Sequence, residues 1–195
     1  MIAIIDYDAG NIRSVGNALQ RLGAEFELTA DPARILAADK VILPGVGNAA
    51  RAMENLRERG LCELIPSLRR PVLGICVGLQ LMCRDSEEGP TQGLGIFDTR
   101  VRRFADAPGA KVPHMGWNGI GNLDGKLFRD LPDGSFVYFV HSYYAALCPD
   151  TIATCRHGEQ LFSAALKYEN FYGTQFHPEK SGSVGAAILQ NFLVL

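Results

Sequence analysis

Four short apolar runs in the first half of the chain, at 2–6, 26–28, 41–43 and 72–75, alternate with segments of helical composition at 11–22, 48–59 and 77–83. Runs this short are strands, and strands that alternate with helices build a parallel sheet covered on both faces. Ile12, Val15, Leu19 and Leu22 fall at helical spacing, with Gly23 as the stop. The second half has another rhythm. Residues 93–104, 135–144, 152–156, 162–168 and 172–175 read as strands separated by Gly, Pro and Asp turns, which predicts an antiparallel extension of the parallel core. Residues 181–192 read as a closing helix capped by Ser181 or Ser183. No repeat, low-complexity tract or flexible linker divides the chain, so residues 1–195 are expected to form a single α/β domain.

Composition works by exclusion. The chain has 19 basic and 21 acidic residues and a formal net charge of -2, which offers no footprint for nucleic acid and no polybasic patch for a membrane surface. The five cysteines, Cys62, Cys76, Cys83, Cys148 and Cys155, include no Cys-x-x-Cys pair and no zinc-finger spacing. Neither a metal site nor a disulfide framework is expected, and the thiols suit a reducing compartment. The N-terminus has no basic stretch of the kind that opens a signal peptide, and the nearly apolar segment 71–83 is too short to span a bilayer. The expectation is a cytoplasmic protein.

The segment Gly74-Ile75-Cys76-Val77-Gly78-Leu79-Gln80 puts a cysteine where a buried strand turns into a helix. Gly74 and Gly78 leave room for a tight turn, as in the Gly-x-nucleophile-x-Gly elbow of hydrolases. Such a turn lifts the sulfur out at the carboxyl edge of the sheet, where open α/β folds bind ligands. It aims a helix N-terminus at the sulfur, which favours the thiolate, and it leaves the Val77 amide free to donate to an oxyanion. A cysteine packed into a strand end would have similar neighbours, so the reading needs a base from elsewhere in the chain.

Gln175-Phe176-His177-Pro178-Glu179-Lys180-Ser181 supplies one. In an extended chain His177 and Glu179 leave the same face, so the carboxylate can hold one imidazole nitrogen while the other faces a nucleophile. Leu43-Pro44-Gly45-Val46-Gly47 follows another buried strand and should lie at the same sheet edge, with the Val46 amide as the second oxyanion donor. Taken singly, these segments read as a strand-end histidine beside a solvated glutamate, and as an ordinary strand-terminating turn. Taken together they favour nucleophilic catalysis by Cys76, His177 and Glu179.

On these residues the chain resembles the triad (class I) glutamine amidotransferases, whose two signatures are Gly74-Ile75-Cys76-Val77-Gly78-Leu79-Gln80 and Phe176-His177-Pro178-Glu179. Asp6-Tyr7 with Gly10-Asn11-Ile12-Arg13-Ser14-Val15, Pro113-His114-Met115-Gly116-Trp117-Asn118 and Val140-His141-Ser142-Tyr143-Tyr144 are similar to the glutaminase subunits of imidazole glycerol phosphate synthase, and the likeness covers nearly the whole chain. The resemblance implies a flavodoxin-like sheet and hydrolysis of L-glutamine to glutamate and ammonia through a cysteine thioester, with no cofactor. It implies a role in histidine biosynthesis and a heterodimer with a (β/α)8-barrel cyclase that takes the ammonia through an internal channel. It further implies that hydrolysis stays weak until that partner binds its own substrate. By motif, Gly47, Gln80, Glu88, His141, Ser142 and Tyr143 should line the glutamine pocket, and Asn11, Met115, Trp117 and Lys180 should meet the partner.

The sequence departs from that family at Asp8 and Ala9, where glycine usually follows Asp-Tyr, and at Cys83-Arg84. Other readings stay open at this point. His114 and His141 also suit structural histidines in loops, Trp117 suits a core, and His157 reads as a surface residue. A related glutaminase feeding another synthase, such as one that makes amidino sugars, would carry the same signatures. A binding module with a silent site would share the fold.

Overall fold

The computed structural model describes residues 1–8, 10–106 and 110–195. The rhythm of the first half becomes β1 (Ile2–Ile5), α1 (Ile12–Arg21), β2 (Phe26–Thr29), α2 (Pro32–Ala37), β3 (Lys40–Leu43), α3 (Ala49–Glu58), α4 (Leu61–Ser67), β4 (Val72–Ile75) and α5 (Val77–Met82). The second half follows as β5 (Cys83–Ser86), β6 (Thr91–Gln92), β7 (Phe97–Arg103), β8 (His114–Ile120), β9 (Ser135–His141), β10 (Tyr143–Ala145), β11 (Thr151–His157), β12 (Gln160–Tyr168), β13 (Phe171–Thr174) and α6 (Gly182–Leu193). Among the described residues, no helix is long and apolar enough to cross a membrane.

The main sheet has the order β11-β12-β13-β4-β3-β1-β2. Strands from β13 to β2 run parallel, while β11, β12 and β13 pair antiparallel at one edge. β1 and β4 are buried at every residue, as strands covered on both faces must be. The expected antiparallel extension is therefore real, but it accounts for only part of the second half. β10, β7, β5 and β6 form a separate four-stranded sheet, and β8 with β9 forms a two-stranded ribbon. The run 135–144, read as one strand, is split at Ser142 between that ribbon and the small sheet.

Two pairings position the site. β13 lies parallel to β4 with Thr174 opposite Ile75, so the next residues of both strands emerge together at the carboxyl edge. The ribbon is tied over that edge, since the His177 amide donates to the Tyr138 carbonyl at 2.9 Å and the Tyr138 amide donates to the Ser181 hydroxyl at 2.9 Å. Ser181 also donates to the His177 carbonyl at 2.6 Å. It does not cap α6 through its side chain, contrary to the sequence expectation, because its hydroxyl is used to fix the histidine loop.

Candidate active site

Cys76 sits between β4 and α5 with φ 54 and ψ -110, a backbone conformation that strains any residue with a side chain. The glycines around it explain how the turn fits. A Cβ at Gly78 would overlap the Leu43 carbonyl oxygen at the end of β3, and one at Gly45 would approach the Gly78 nitrogen at 2.5 Å. The Cys76 amide is pinned to the Thr174 carbonyl at 2.7 Å, which locks the elbow to β13.

His177 follows β13 and is fully buried. Its Nδ1 donates to Oε1 of Glu179 at 2.7 Å. Since a carboxylate only accepts, Nδ1 is the donor in this bond and Nε2 is not engaged by it. Among the described residues Nε2 has no hydrogen-bond partner, the Cys76 thiol lies 3.9 Å from the Val140 carbonyl, and His177 and Cys76 line one cavity. The two side chains of His-x-Glu meet through a tight 3-10 turn at Pro178–Lys180, not through the strand alternation expected from their spacing. Burial pulls the His177 pKa down, but the nearby Cys76 sulfur and the hydrogen-bonded Glu179 carboxylate outweigh it and push the group up to about 10.

The cavity measures about 330 Å³ and is lined by Val46, Gly47, Cys76, Val77, Gln80, Glu88, Pro113, Val140, His141, Ser142, Tyr143 and His177. All six residues expected in a glutamine pocket therefore face one space. Several of them are already committed to bonds within the chain. The Gln80 amide nitrogen donates to the Tyr143 carbonyl at 2.9 Å and to Oε1 of Gln175 at 3.0 Å. Oε2 of Glu88 accepts from the Ala49 amide at 2.7 Å, at the N-terminus of α3, where a negative charge is favoured.

The oxyanion donors are arranged differently from the sequence expectation. The Val77 amide donates to the Gly45 carbonyl at 3.3 Å. In a planar trans peptide the N–H points opposite to the C=O. The Val46 N–H, which shares that peptide with the Gly45 carbonyl, is thus turned away from Val77. In this state the Val77 donor is occupied and the second donor is absent.

Among the residues expected at a partner interface, Met115 and Trp117 are 66% and 54% exposed on β8, so Trp117 is not core. Lys180 is exposed. Asn11 behaves otherwise: its side-chain nitrogen donates to Oε1 of Glu179 and stands 3.4 Å from Nδ1 of His177. It stands just before α1 at the N-cap position, yet its side chain makes no cap because it is used on the His–Glu pair.

The two other histidines of the site region form a relay. Nδ1 of His141 lies 2.7 Å from the Tyr143 carbonyl, Nε2 of His141 lies 3.0 Å from Nδ1 of His114, and the Asn118 amide lies 3.2 Å from Nε2 of His114. His157, read as a surface residue, stacks on His114 with ring centroids 4.2 Å apart. Sequence reasoning also missed Gln175, whose amide nitrogen donates to the Cys76 sulfur at 3.7 Å, and Phe136, 59% exposed and in register with Gly119 beside the Trp117 row. A polar residue closing an apolar strand was the available signal for Gln175. Asp8 has φ 65, the region that glycine favours, and its carboxylate pairs with Arg59. Ala9, the other departure in that loop, lies outside the described residues.

A cysteine on a strand-to-helix elbow, sharing a cavity with a His–Glu pair at the carboxyl edge of a parallel sheet, defines an amide hydrolase of the cysteine-triad kind. The family model for class-I glutamine amidotransferases matches residues 3–195. The chain is 54% identical to the HisH subunit of imidazole glycerol phosphate synthase from Bacteroides thetaiotaomicron over 195 residues, covering 100% of this chain and 99% of that one. It is 48% identical to the HisH subunit of Escherichia coli, covering 98% of each. A solved crystal structure of a glutamine amidotransferase superposes with a TM-score of 0.76 at 19% identity, covering 100% of this chain and 98% of the other, which shows the fold. The chain belongs to the class-I glutamine amidotransferase family, in the branch of the HisH subunits of imidazole glycerol phosphate synthase.

Proposed function

We propose that residues 1–195 form one glutaminase domain that hydrolyses L-glutamine through a thioester at Cys76 and passes the ammonia to the cyclase subunit of a cytoplasmic imidazole glycerol phosphate synthase. The observation that carries this reading is the single cavity into which Cys76 and His177 both open, with Glu179 bonded to the far side of the imidazole. Membership of the HisH branch favours this acceptor over an amidino-sugar synthase, and the intact constellation speaks against a silent binding module.

In this mechanism His177 draws the proton from Cys76 and the thiolate attacks the side-chain amide carbon of glutamine. The Val77 and Val46 amides hold the oxyanion, each contributing about 3 kcal/mol to lowering the barrier. Collapse of the tetrahedral intermediate breaks the C–N bond, and His177 protonates the departing ammonia. Water, deprotonated by His177, then hydrolyses the thioester, releasing glutamate and restoring the thiol. Gly47, Gln80, Ser142 and Tyr143 shape the pocket, His141 braces its wall, and the Glu88 carboxylate complements the substrate's ammonium group. Because the Gly45 carbonyl now holds the Val77 amide, the 45–46 peptide must turn over before the oxyanion can be held, which makes it the natural gate for control by the partner.

The partner in this reading is a (β/α)8 barrel. It docks on the exposed row of Met115, Trp117 and Phe136, with Lys180 and the Asn11 loop alongside. The test is Cys76→Ala. The assembled complex should lose glutamine-dependent synthesis and keep synthesis from added ammonium salts. Retained glutamine hydrolysis would overturn the nucleophile assignment, and loss of both routes would give Cys76 a role in folding or docking instead.

A further inference from the structure

We propose that Gln175 is a further catalytic residue, whose side-chain amide donates a hydrogen bond to the Cys76 sulfur and supports the thiolate. The inference rests on Cys76 being the nucleophile, as proposed above.

Gln175 is fully buried, and its Nε2 lies 3.7 Å from Sγ of Cys76. Its backbone is fixed as well, since its amide donates to the Ala164 carbonyl at 2.8 Å. The β13–β4 register places it directly beyond Thr174, whose carbonyl holds the Cys76 amide at 2.7 Å. It therefore stands next to the elbow by main-chain pairing.

The orientation of its amide follows from its neighbours. A main-chain carbonyl can only accept, so the Gln80 atom 2.9 Å from the Tyr143 carbonyl is the amide nitrogen. That same nitrogen lies 3.0 Å from Gln175, so the Gln175 atom facing it is the oxygen. The Gln175 nitrogen is left facing sulfur. The donors run one way, from Gln80 to Gln175 to the Cys76 sulfur, whose own thiol proton faces the Val140 carbonyl at 3.9 Å.

Chemically, the two flanking groups divide the work. His177 takes the proton, and Gln175 presents a positive N–H end to the charge that remains on sulfur. Hydrogen bonds to an ionised acceptor are about twice as strong as neutral ones. A thiolate near a buried donor that Gln80 already holds in place gains that strength with no reorganisation. A purely structural role would need the Gln80 contact but not a donor aimed at sulfur.

The test uses the assembled complex with two variants. Gln175→Glu keeps the shape and the acceptor for Gln80 but in its ionised form presents no donor to sulfur and sets a like charge beside it, and Gln175→Met, which has no donor in any protonation state, keeps the bulk without either polar atom. The readouts are the pH profile of Cys76 alkylation by iodoacetamide, assigned to Cys76 by mass spectrometry, and glutamine turnover. Both variants should slow Cys76 alkylation at neutral pH about tenfold or more and move its profile to higher pH. Turnover should fall in kcat with little change in KM. Synthesis from ammonium salts, run in parallel, reports folding and docking, and the profile is read on whichever variant assembles. A wild-type alkylation profile in an assembled variant would overturn the inference. Glutamine turnover surviving in Cys76→Ala would instead overturn the nucleophile reading on which it rests.

Discussion

The Gly45 carbonyl accepts the Val77 amide proton at 3.3 Å, so the peptide proposed above as one oxyanion donor presents its oxygen to the other. A developing negative charge placed there would meet a carbonyl dipole of the wrong sign. A missing oxyanion donor costs about two to three orders of magnitude in kcat. The chain alone should therefore hydrolyse glutamine at least about a hundredfold more slowly than the complex with its cyclase ligand bound. Steady-state glutaminase assays with and without partner and nucleotide check this. Equal rates would show that the closed arrangement does not limit turnover.

The histidine relay predicts an acid limit to stability. Nδ1 of His141 must donate to the Tyr143 carbonyl, so its Nε2 accepts from Nδ1 of His114, whose Nε2 accepts from Asn118. Protonating either ring would set two donors face to face. Burial is the main cause that holds His114 down to about 4 and His141 down to about 3. Unfolded histidines titrate near 6.5, so between that pH and about 4 the unfolded chain binds more protons than the native one. Stability is complete above about pH 6.5 and declines as the pH falls through that window. His177 has the opposite sign: with its pKa lifted to about 10, its contribution is whole below 6.5 and is lost as the pH rises through about 10. Urea midpoints recorded against pH should fall on the acid side, and a flat acid side would mean the pair is charged in the native state.

Trp117 carries a prediction about the partner. Its ring is 54% exposed and meets Tyr138 edge-on at 6.1 Å, so it adds little to the core of the free chain. Exposed tryptophans of this kind become anchors when an interface closes over them. Trp117→Arg should weaken binding of the cyclase by about thirtyfold or more while leaving the melting temperature of the isolated chain nearly unchanged. Calorimetric titration decides it, and an unaltered affinity would move the interface elsewhere.

The strain at Cys76 gives a prediction on stability. With φ 54 and ψ -110, the residue occupies a region that only glycine enters freely. Cys76→Gly should be more stable than Cys76→Ala by about 1–3 kcal/mol in urea unfolding, because both lose the sulfur but only one relieves the backbone. A more stable alanine variant would mean that the elbow is unstrained.

How much of this was legible beforehand depended on local pattern. Ile2–Ile5, residues 41–43 of Lys40–Leu43, and Val72–Ile75 are apolar runs, the signature of a buried parallel strand. Cys76 and His177 were legible because their glycine and proline neighbours are needed by the turns that carry them. α2 and α4 were not, since helices of 6 and 7 residues are too short to show a period. β8 was missed as a strand because Gly116 and Gly119 break its run and its apolar face is uncovered. The break at Ser142, the diversion of Ser181 from cap to clamp, and the closed state of the 45–46 peptide all depend on contacts between distant segments, which no window of sequence contains.

The parallel pairing of β13 with β4 also fixes when the chain can act. Cys76 precedes His177 by about a hundred residues, and the two come together only because β13 lies beside β4. Until β13 is in place, the elbow lacks the Thr174 carbonyl that holds the Cys76 amide and the His177 ring that shares its cavity. Pairing of β13 with β4 thus completes the constellation, and a chain ending before residue 171 would lack both the carbonyl that anchors the elbow and the imidazole beside it.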